Sequence, residues 1–404
     1  MGLVVQKFGG SSVADVDRIK HVAKRVMDTH EAGDAVVVVV SALGDTTDDL
    51  IQLALQITPQ PSDREMDVLM STGEQISIAL LSMAIHAMGH DAISFTGPQL
   101  DIVTDSAHRK ARILSVDPTR IRRALDQDHI VIVAGFQGRD ADENITTLGR
   151  GGSDTTAVAL AAVLEAPVCE IYTDVDGVYT ADPRIVPDAR KIPVMHADEM
   201  LEMASAGSQV MNARAVEYAK KYGVPLHIRS SFAPDTGTLV TDKAEELDEV
   251  PVRGVSLDRA DSKITIRQVP DRPGVSARLF TALSEADVNV DMIIQNVAEG
   301  EKADISFTVN KDDLNRAMTV CEALLSDIGG QALAADSDIA KVSIVGAGMA
   351  ERSGVAAVMF SALGDAGVNI EMIATSEIKT SCIVRAWQAE EATRVVHAAF
   401  ALGG

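Results

Sequence analysis

The sequence predicts an α/β sheet domain followed by a duplicated ferredoxin-like βαββαβ unit. Three observations carry this prediction. Continuous β-branched runs, Ala35-Val36-Val37-Val38-Val39-Val40 above all, alternate with helical periodicity upstream of residue 242. Such runs suit strands buried on both faces, as in a parallel sheet covered by helices. Glycine- and hydroxyl-rich clusters stand at the carboxyl ends of these runs, and a gapless internal repeat occupies the remainder of the chain.

Taken in order, Leu3-Val4-Val5 is a short β-prone run followed by Lys7-Phe8-Gly9-Gly10-Ser11-Ser12. Val13, Val16, Ile19, Ala23 and Val26 then recur at three- and four-residue spacing, one face of a helix. In this strand, glycine turn and helix, Gly9 and Gly10 allow close backbone approach to a ligand, and Ser11 and Ser12 can cap the helix. Free N–H groups and the positive helix end favour an anion, most simply a phosphate, with Lys7 as an added point charge. The hexapeptide by itself fits an ordinary strand-to-helix turn equally well.

Ser41-Ala42-Leu43-Gly44-Asp45-Thr46-Thr47 stands at the end of the valine run. Ile130 to Phe136 and Val168 to Tyr172 read as further strands, and Glu74 to Met88 and Thr155 to Leu164 as helices. Ser71-Thr72-Gly73-Glu74 is expected to open a helix, with Glu74 in its first turn as a dipole partner or as a holder of a substrate ammonium. Gly149-Arg150-Gly151-Gly152-Ser153-Asp154-Thr155-Thr156 reads as a second anion-binding helix start, or as a glycine-rich surface loop. Tyr172 to Arg184 forms a third polar cluster; Asp174 and Asp176 before Gly177 lack the remaining positions of a calcium loop.

Composition narrows the function classes. The 404 residues carry a net charge of −23, which argues against nucleic-acid or anionic-membrane partners. An anionic substrate must therefore meet locally placed cations or N–H groups. Cys169, Cys321 and Cys382 are far apart and show neither disulfide nor zinc spacing. No secretory segment is visible, Gln6 spoils a myristoylation match at Gly2, and no apolar run approaches the roughly 18 residues of a membrane span. A cytoplasmic location is expected. There is no Gly-Lys dipeptide for a Walker A loop, no His-Arg-Asp or Asp-Phe-Gly of a protein kinase, and Gly346-Ala347-Gly348 lacks the third glycine of a dinucleotide fingerprint.

Lys7-Phe8-Gly9-Gly10-Ser11-Ser12, Ser71-Thr72-Gly73-Glu74, Thr147 to Asp154 and Tyr172 to Gly177 together resemble the ordered signature set of aspartokinases, in the amino-acid kinase superfamily. The resemblance implies an N-terminal αβα sandwich over 1–245 and phosphoryl transfer from ATP, bound with Mg2+, to the side-chain carboxylate of L-aspartate. It implies catalytic roles for Lys7, Asp154 and Asp174, the two carboxylates orienting the lysine and supporting the nucleotide site. It places the nucleotide at Lys7, Phe8, Gly9, Gly10, Thr173, Asp174, Tyr179, Thr180, Ala181, Asp182, Pro183, Arg184 and Gln209. It places aspartate at Ser41, Thr47, Glu74, Arg150, Gly151, Gly152, Ser153 and Asp154. No metal site of the protein's own is expected. Two departures stand out: Gln209 where the family usually has a lysine, and Asn212-Ala213-Arg214 in place of His-Pro-Arg. A different acceptor, such as acetylglutamate or a nucleotide, and an inactive amino-acid sensor are the alternative functions.

Asp242 to Pro251 reads as a charged linker or a surface helix between domains. Beyond it, residues 272–293 and 352–373 are identical at 12 of 22 positions with no gap. The copies resemble ACT domains, expected at 255–335 and 340–404 with possible strand exchange between them. The resemblance implies an effector site at Asp271, Gly274, Val275, Ala277, Asn289, Asp291 and Gln295, with Asn369 and Ile370 in the second copy. Glu351-Arg352-Ser353-Gly354 replaces Asp271-Arg272-Pro273-Gly274 there, so the copies differ in their helix-opening loop. Lysine and threonine are the implied effectors, and a homo-oligomer through the C-terminal half is the implied assembly. In some relatives a separate subunit equal to the C-terminal part joins it.

Overall fold

The computed structural model describes residues 2–208, 210–243, 251–298, 302–349 and 352–404. Two compact units emerge. The first takes the described residues of Met1–Val178, Lys191–Ala204 and Gln209–Glu246; the second takes those of Tyr179–Arg190, Ser205–Ser208 and Leu247–Gly404.

The chain begins with β1 (Leu3–Phe8), α1 (Val16–Glu31), β2 (Ala35–Val40), α2 (Thr46–Ile57), α3 (Asp63–Ala87), β3 (Ala92–Phe95), β4 (Val103–Thr104) and β5 (Ile113–Ser115). Next come α4 (Thr119–Leu125), β6 (Ile130–Ala134), β7 (Gln137–Arg139), β8 (Ile145–Thr147), α5 (Gly152–Leu164) and β9 (Val168–Thr173). It continues through β10 (Val194–Met195), α6 (Ala197–Ser205), α7 (Ala213–Tyr222), β11 (Leu226–Ser230) and β12 (Thr238–Val240). One sheet has the order β10-β12-β11-β9-β1-β2-β6-β3, and a smaller one the order β5-β4-β7-β8. β2 is buried from Val36 to Val40 and β6 throughout, as strands covered on both faces must be. β1 pairs in parallel with β2 on one side and β9 on the other. The carboxyl ends of these strands therefore converge where open α/β sheets bind ligands.

Two helix starts differ from expectation. Gly10–Val13 forms a 3₁₀ turn, and α1 begins only at Val16, capped by the Asp15 side chain accepting from the Arg18 N–H. Ser12 is not a cap: its buried hydroxyl meets that of Ser231 at 2.5 Å. Ser71-Thr72-Gly73-Glu74 lies inside α3 rather than opening it. Met66, Met70, Ile78, Leu81 and Ile85 continue one buried stripe across Gly73, so the helix has no reason to stop there. Gly73 itself serves close packing, since a Cβ there would lie 2.7 Å from the Ala42 Cβ. Among the described residues α3 is the one helix long and apolar enough to cross a membrane, and half of its apolar window is buried inside the protein.

The second unit holds β13 (Gly254–Asp258), β14 (Asp261–Pro270), α8 (Val275–Glu285), β15 (Val290–Ala298), β16 (Lys302–Asn310), α9 (Leu314–Leu324) and β17 (Ala332–Asp336). The second copy of the repeat follows as β18 (Ile339–Val345), α10 (Val355–Asp365), β19 (Met372–Thr375), β20 (Lys379–Arg385) and α11 (Ala389–Ala399). The first copy makes its own sheet, β15-β16-β14-β17, over a core of Ile264, Ile266, Phe307, Leu279 and Leu283. Among the described residues the second copy has no strand after α11. Its sheet, β13-β18-β20-β19, is completed by β13 from ahead of the first copy, paired antiparallel to β18. Gly274 and Gly354 open the equivalent helices with φ of 93° and 94°, a left-handed conformation that favours glycine. Met292 of the first copy packs with Ile339, Met372 and Ile383 of the second. Gln209, Glu351 and residues 244–250 of the linker lie outside the described residues.

Candidate active site

Lys7 and Asp154 meet at the carboxyl end of β1. Lys7 stands one residue from the end of β1, and its Nζ lies 2.6 Å from Asp154 Oδ1, both side chains only 11% exposed. Asp154 occupies the first turn of α5, where the helix dipole also favours a negative charge. The carboxylate thereby holds the ammonium at the carboxyl end of the sheet. Asp174 has no part in holding it, for its side chain is exposed and accepts from the Thr173 hydroxyl at 3.0 Å. The turn after Lys7 also departs from expectation. The Gly9 N–H donates to the Tyr172 carbonyl, and the Phe8 ring is buried against Tyr172 with centroids 4.7 Å apart. Both groups are thus engaged within the protein. Gly10 is needed for close approach, because a Cβ would lie 2.9 Å from the Ala42 carbonyl oxygen.

Ala42 links this turn to Glu74. Its N–H donates to Glu74 Oε1 at 3.1 Å, while Oε2 is buried without a hydrogen-bond partner. Burial pushes the Glu74 carboxyl up to about 7. A carboxylate sunk mid-helix with one orphaned oxygen is suited to a cation that arrives from outside. Ser41 follows β2 directly, and Thr47 sits in the first turn of α2, both half-buried beside this link.

Arg150 is carried by the loop between β8 and α5 and is exposed. Gly151 caps α5 with φ 70°, and a Cβ there would lie 2.3 Å from the Asn212 Cβ. Gly151→Ala is therefore expected to lower stability by about 1–3 kcal/mol, read from thermal or denaturant unfolding. Gly152 abuts Phe136 and Leu148, and Ser153 packs on Gly135 at the end of β6. The departure at 212–214 has a visible use. Asn212 caps α7 and donates to the Arg150 carbonyl, and Arg214 donates to the carbonyls of Leu148 and Ala111.

The segment Tyr179 to Arg184 belongs to the second unit. There the Thr180 hydroxyl bonds His397 Nε2 and the Leu402 carbonyl, and Ala181 is buried in the core with Val255 and Val342. Their side chains are committed to packing. Asp182 and Arg184 form a forked pair beside Pro183, and that pairing holds the Asp182 carboxyl below its ordinary range. In the same unit Gln295 bonds both Ser276 at the start of α8 and Asp271. Asp291 is engaged by Lys341 at 2.6 Å, while Asn289, Ala277 and Asn369 are exposed. Val275 and Ile370 pack into the cores of their copies.

Sequence reasoning missed Asp67, His108 and Arg109. Asp67 is fully buried two helical turns before Glu74 and accepts from His108, Arg109 and Thr147. The seven-residue spacing from Glu74, which puts both on one helix face, was the available signal.

Comparison with known proteins decides the family. The amino acid kinase family matches residues 2–230, and the ACT domain matches 266–325 and 342–400. An aspartokinase of Pseudomonas aeruginosa is 53% identical over 404 residues, covering 100% of this chain and 98% of that one. The chain belongs to the aspartokinases. An aspartokinase of Thermus thermophilus is 52% identical over 404 residues, covering 100% of this chain and 99% of the relative. Among solved structures, E. coli aspartokinase III in complex with aspartate and ADP, in its R-state, superposes with a TM-score of 0.82 at 26% identity, covering 98% and 99% of the two chains. The same enzyme with lysine and aspartate, in its T-state, gives 0.74 at 26% identity, covering 98% and 99%. This aspartokinase is thus an aspartate kinase, a phosphotransferase of amino-acid biosynthesis with allosteric ACT domains.

Proposed function

We propose that Lys7 neutralises charge on the phosphoryl group as it passes from ATP to the aspartate side chain. Glu74 receives the substrate ammonium and Arg150 its α-carboxylate as a planar fork. The hydroxyls of Ser41, Thr47 and Ser153 and the backbone of Gly151 and Gly152 complete the aspartate site. The acceptor carboxylate, with an ordinary pKa of about 3.9, is already ionised, so the reaction needs no general base. The barrier lies in bringing two anions into line, and positioning with charge neutralisation lowers it. Mg2+ bound with the nucleotide would spread the phosphate charge, and Asp174, exposed directly after β9, is the carboxylate that would help to hold it. The observation that carries the reading is the orphaned, buried Glu74 oxygen joined through Ala42 to the glycine turn that follows Lys7.

Amino-acid effectors, lysine and threonine first, bind where α8 begins, at Asp271, Gly274, Val275, Ala277, Asn289 and Gln295. Inhibition then requires that they bind one of two conformations better. In a homo-oligomer paired through the C-terminal half, effector binding biases the assembly to a form with a misplaced catalytic lobe. The test is ADP release with MgATP and L-aspartate, with and without lysine plus threonine. Turnover that depends on aspartate and falls with the effectors supports both halves. Asn289→Ala is expected to weaken inhibition about tenfold and leave basal turnover unchanged; unaltered inhibition in that variant counts against the site.

A further inference from the structure

We propose that Asp67 is a positioning residue for the aspartate site, acting on Arg150 through Thr147 and Arg109. The proposal rests on the reading that Arg150 holds the substrate α-carboxylate. Asp67 is 0% exposed, yet no lysine or arginine ammonium or guanidinium pairs with it among the described residues. Its carboxylate instead gathers an imidazole, a backbone N–H and a hydroxyl from two distant segments. His108 Nδ1 lies 2.6 Å from Oδ2, the Arg109 N–H donates at 3.0 Å to Oδ1, and the buried Thr147 hydroxyl donates to Oδ1. A buried carboxylate needs such a set, because each missing donor leaves it further desolvated. Three segments are thereby locked: α3, which also carries Glu74; the 106–109 loop; and the end of β8.

Both contacts lead to Arg150. Thr147 closes β8 three residues before it. Arg109 has a left-handed backbone, φ 66°, which a non-glycine residue adopts only when its surroundings hold it there. The Asp67 bond to the Arg109 N–H supplies that hold. The Arg109 carbonyl in turn packs on Gly149, where a Cβ would meet it at 2.9 Å. The residue before Arg150 is thus seated on a strained peptide that Asp67 fixes. One helix then sets both ends of the substrate: Glu74 for the ammonium directly, and Asp67 for the carboxylate through its loop. This predicts a loss confined to aspartate affinity, because Lys7 and Asp154 hang on β1 and α5 and, among the described residues, share no hydrogen bond or ion pair with Asp67.

The test is steady-state kinetics of the full-length enzyme. Thr147→Val is expected to raise KM for L-aspartate about tenfold, with KM for MgATP and kcat at saturating aspartate held within about twofold. Thr147→Ser keeps the hydroxyl and is expected to keep the parent KM. His108→Gln, at a side chain 19% exposed, is the mildest change and is expected to move the same KM in the same direction. On an Arg150→Ala background, Thr147→Val is expected to add nothing. An unchanged aspartate KM in Thr147→Val and His108→Gln, beside a raised one in Arg150→Ala, overturns the inference alone. So does a loss shared by kcat and both KM values with a lowered melting temperature. An unchanged KM in Arg150→Ala overturns the reading of Arg150 and the inference with it.

Discussion

Lys7→Met is expected to lower kcat by about two to three orders of magnitude while KM for aspartate changes little. The argument is electrostatic. Nucleophile and electrophile are both anions, and the net charge of −23 gives no help from the bulk of the protein. Lys7 is the cation that β1 delivers to the strand ends, held at 2.6 Å from Asp154. Charge that is fixed before the reaction needs no reorganisation during it, so its removal falls on the transition state rather than on substrate binding. Lys7→Arg is expected to restore little, because a planar guanidinium cannot take the ammonium's place against a carboxylate seated in the first turn of α5. Loss of Lys7 also leaves Asp154 without its partner. The start of α5 softens that loss through its dipole, so the variant is expected to fold, which circular dichroism and a melting curve check. A kcat within tenfold of the parent in a folded Lys7→Met enzyme would remove Lys7 from the catalytic role.

Much of this arrangement was legible because its causes are local. A strand buried on both faces has to be apolar at every position, so Val36 to Val40 and Ile130 to Ala134 announce themselves. The repeat was visible because both copies build the same helix on the same left-handed glycine, Gly274 and Gly354. What stayed hidden depends on partners far along the chain. Nothing in Gly254–Asp258 says that it pairs with Ile339–Val345 rather than with the copy that follows it. Ser12 reads as a helix cap until Ser231 is seen against it, and Phe8 reads as part of a ligand turn until Tyr172 stacks on it. Ser71-Thr72-Gly73-Glu74 reads as a helix start until the close approach of Ala42 to Gly73 is seen within α3. Asp67 was missed for the same reason: a lone aspartate on a helix reads as solvated until its donors converge on it.

Glu74 joins stability to affinity, and each should respond to pH in an opposite sense. Its carboxyl is raised by burial from 4.5 to about 7 in the ligand-free protein. Between those values the native state keeps a proton that the unfolded chain has released. Stability therefore falls as pH rises from about 4.5 to about 7 and levels off above that. Glu74→Gln removes the burial of charge and is expected to exceed the parent in stability by about 1–3 kcal/mol at pH 8, read from unfolding curves. Substrate binding runs the other way. The ammonium of L-aspartate stays charged across this range and favours the ionised carboxylate, so binding releases a proton below the Glu74 midpoint. KM for aspartate is expected to rise as pH falls below about 7, approaching tenfold per unit, and to flatten above it. In Glu74→Gln the KM is expected to be raised about a hundredfold and to lose that slope, because a neutral amide leaves the ammonium without its counter-charge. A parent KM that stays level from pH 6 to pH 8 would show that the substrate ammonium lies elsewhere. A variant both more stable and far weaker for aspartate would locate, in one side chain, the cost of keeping an unpaired carboxylate ready inside the fold.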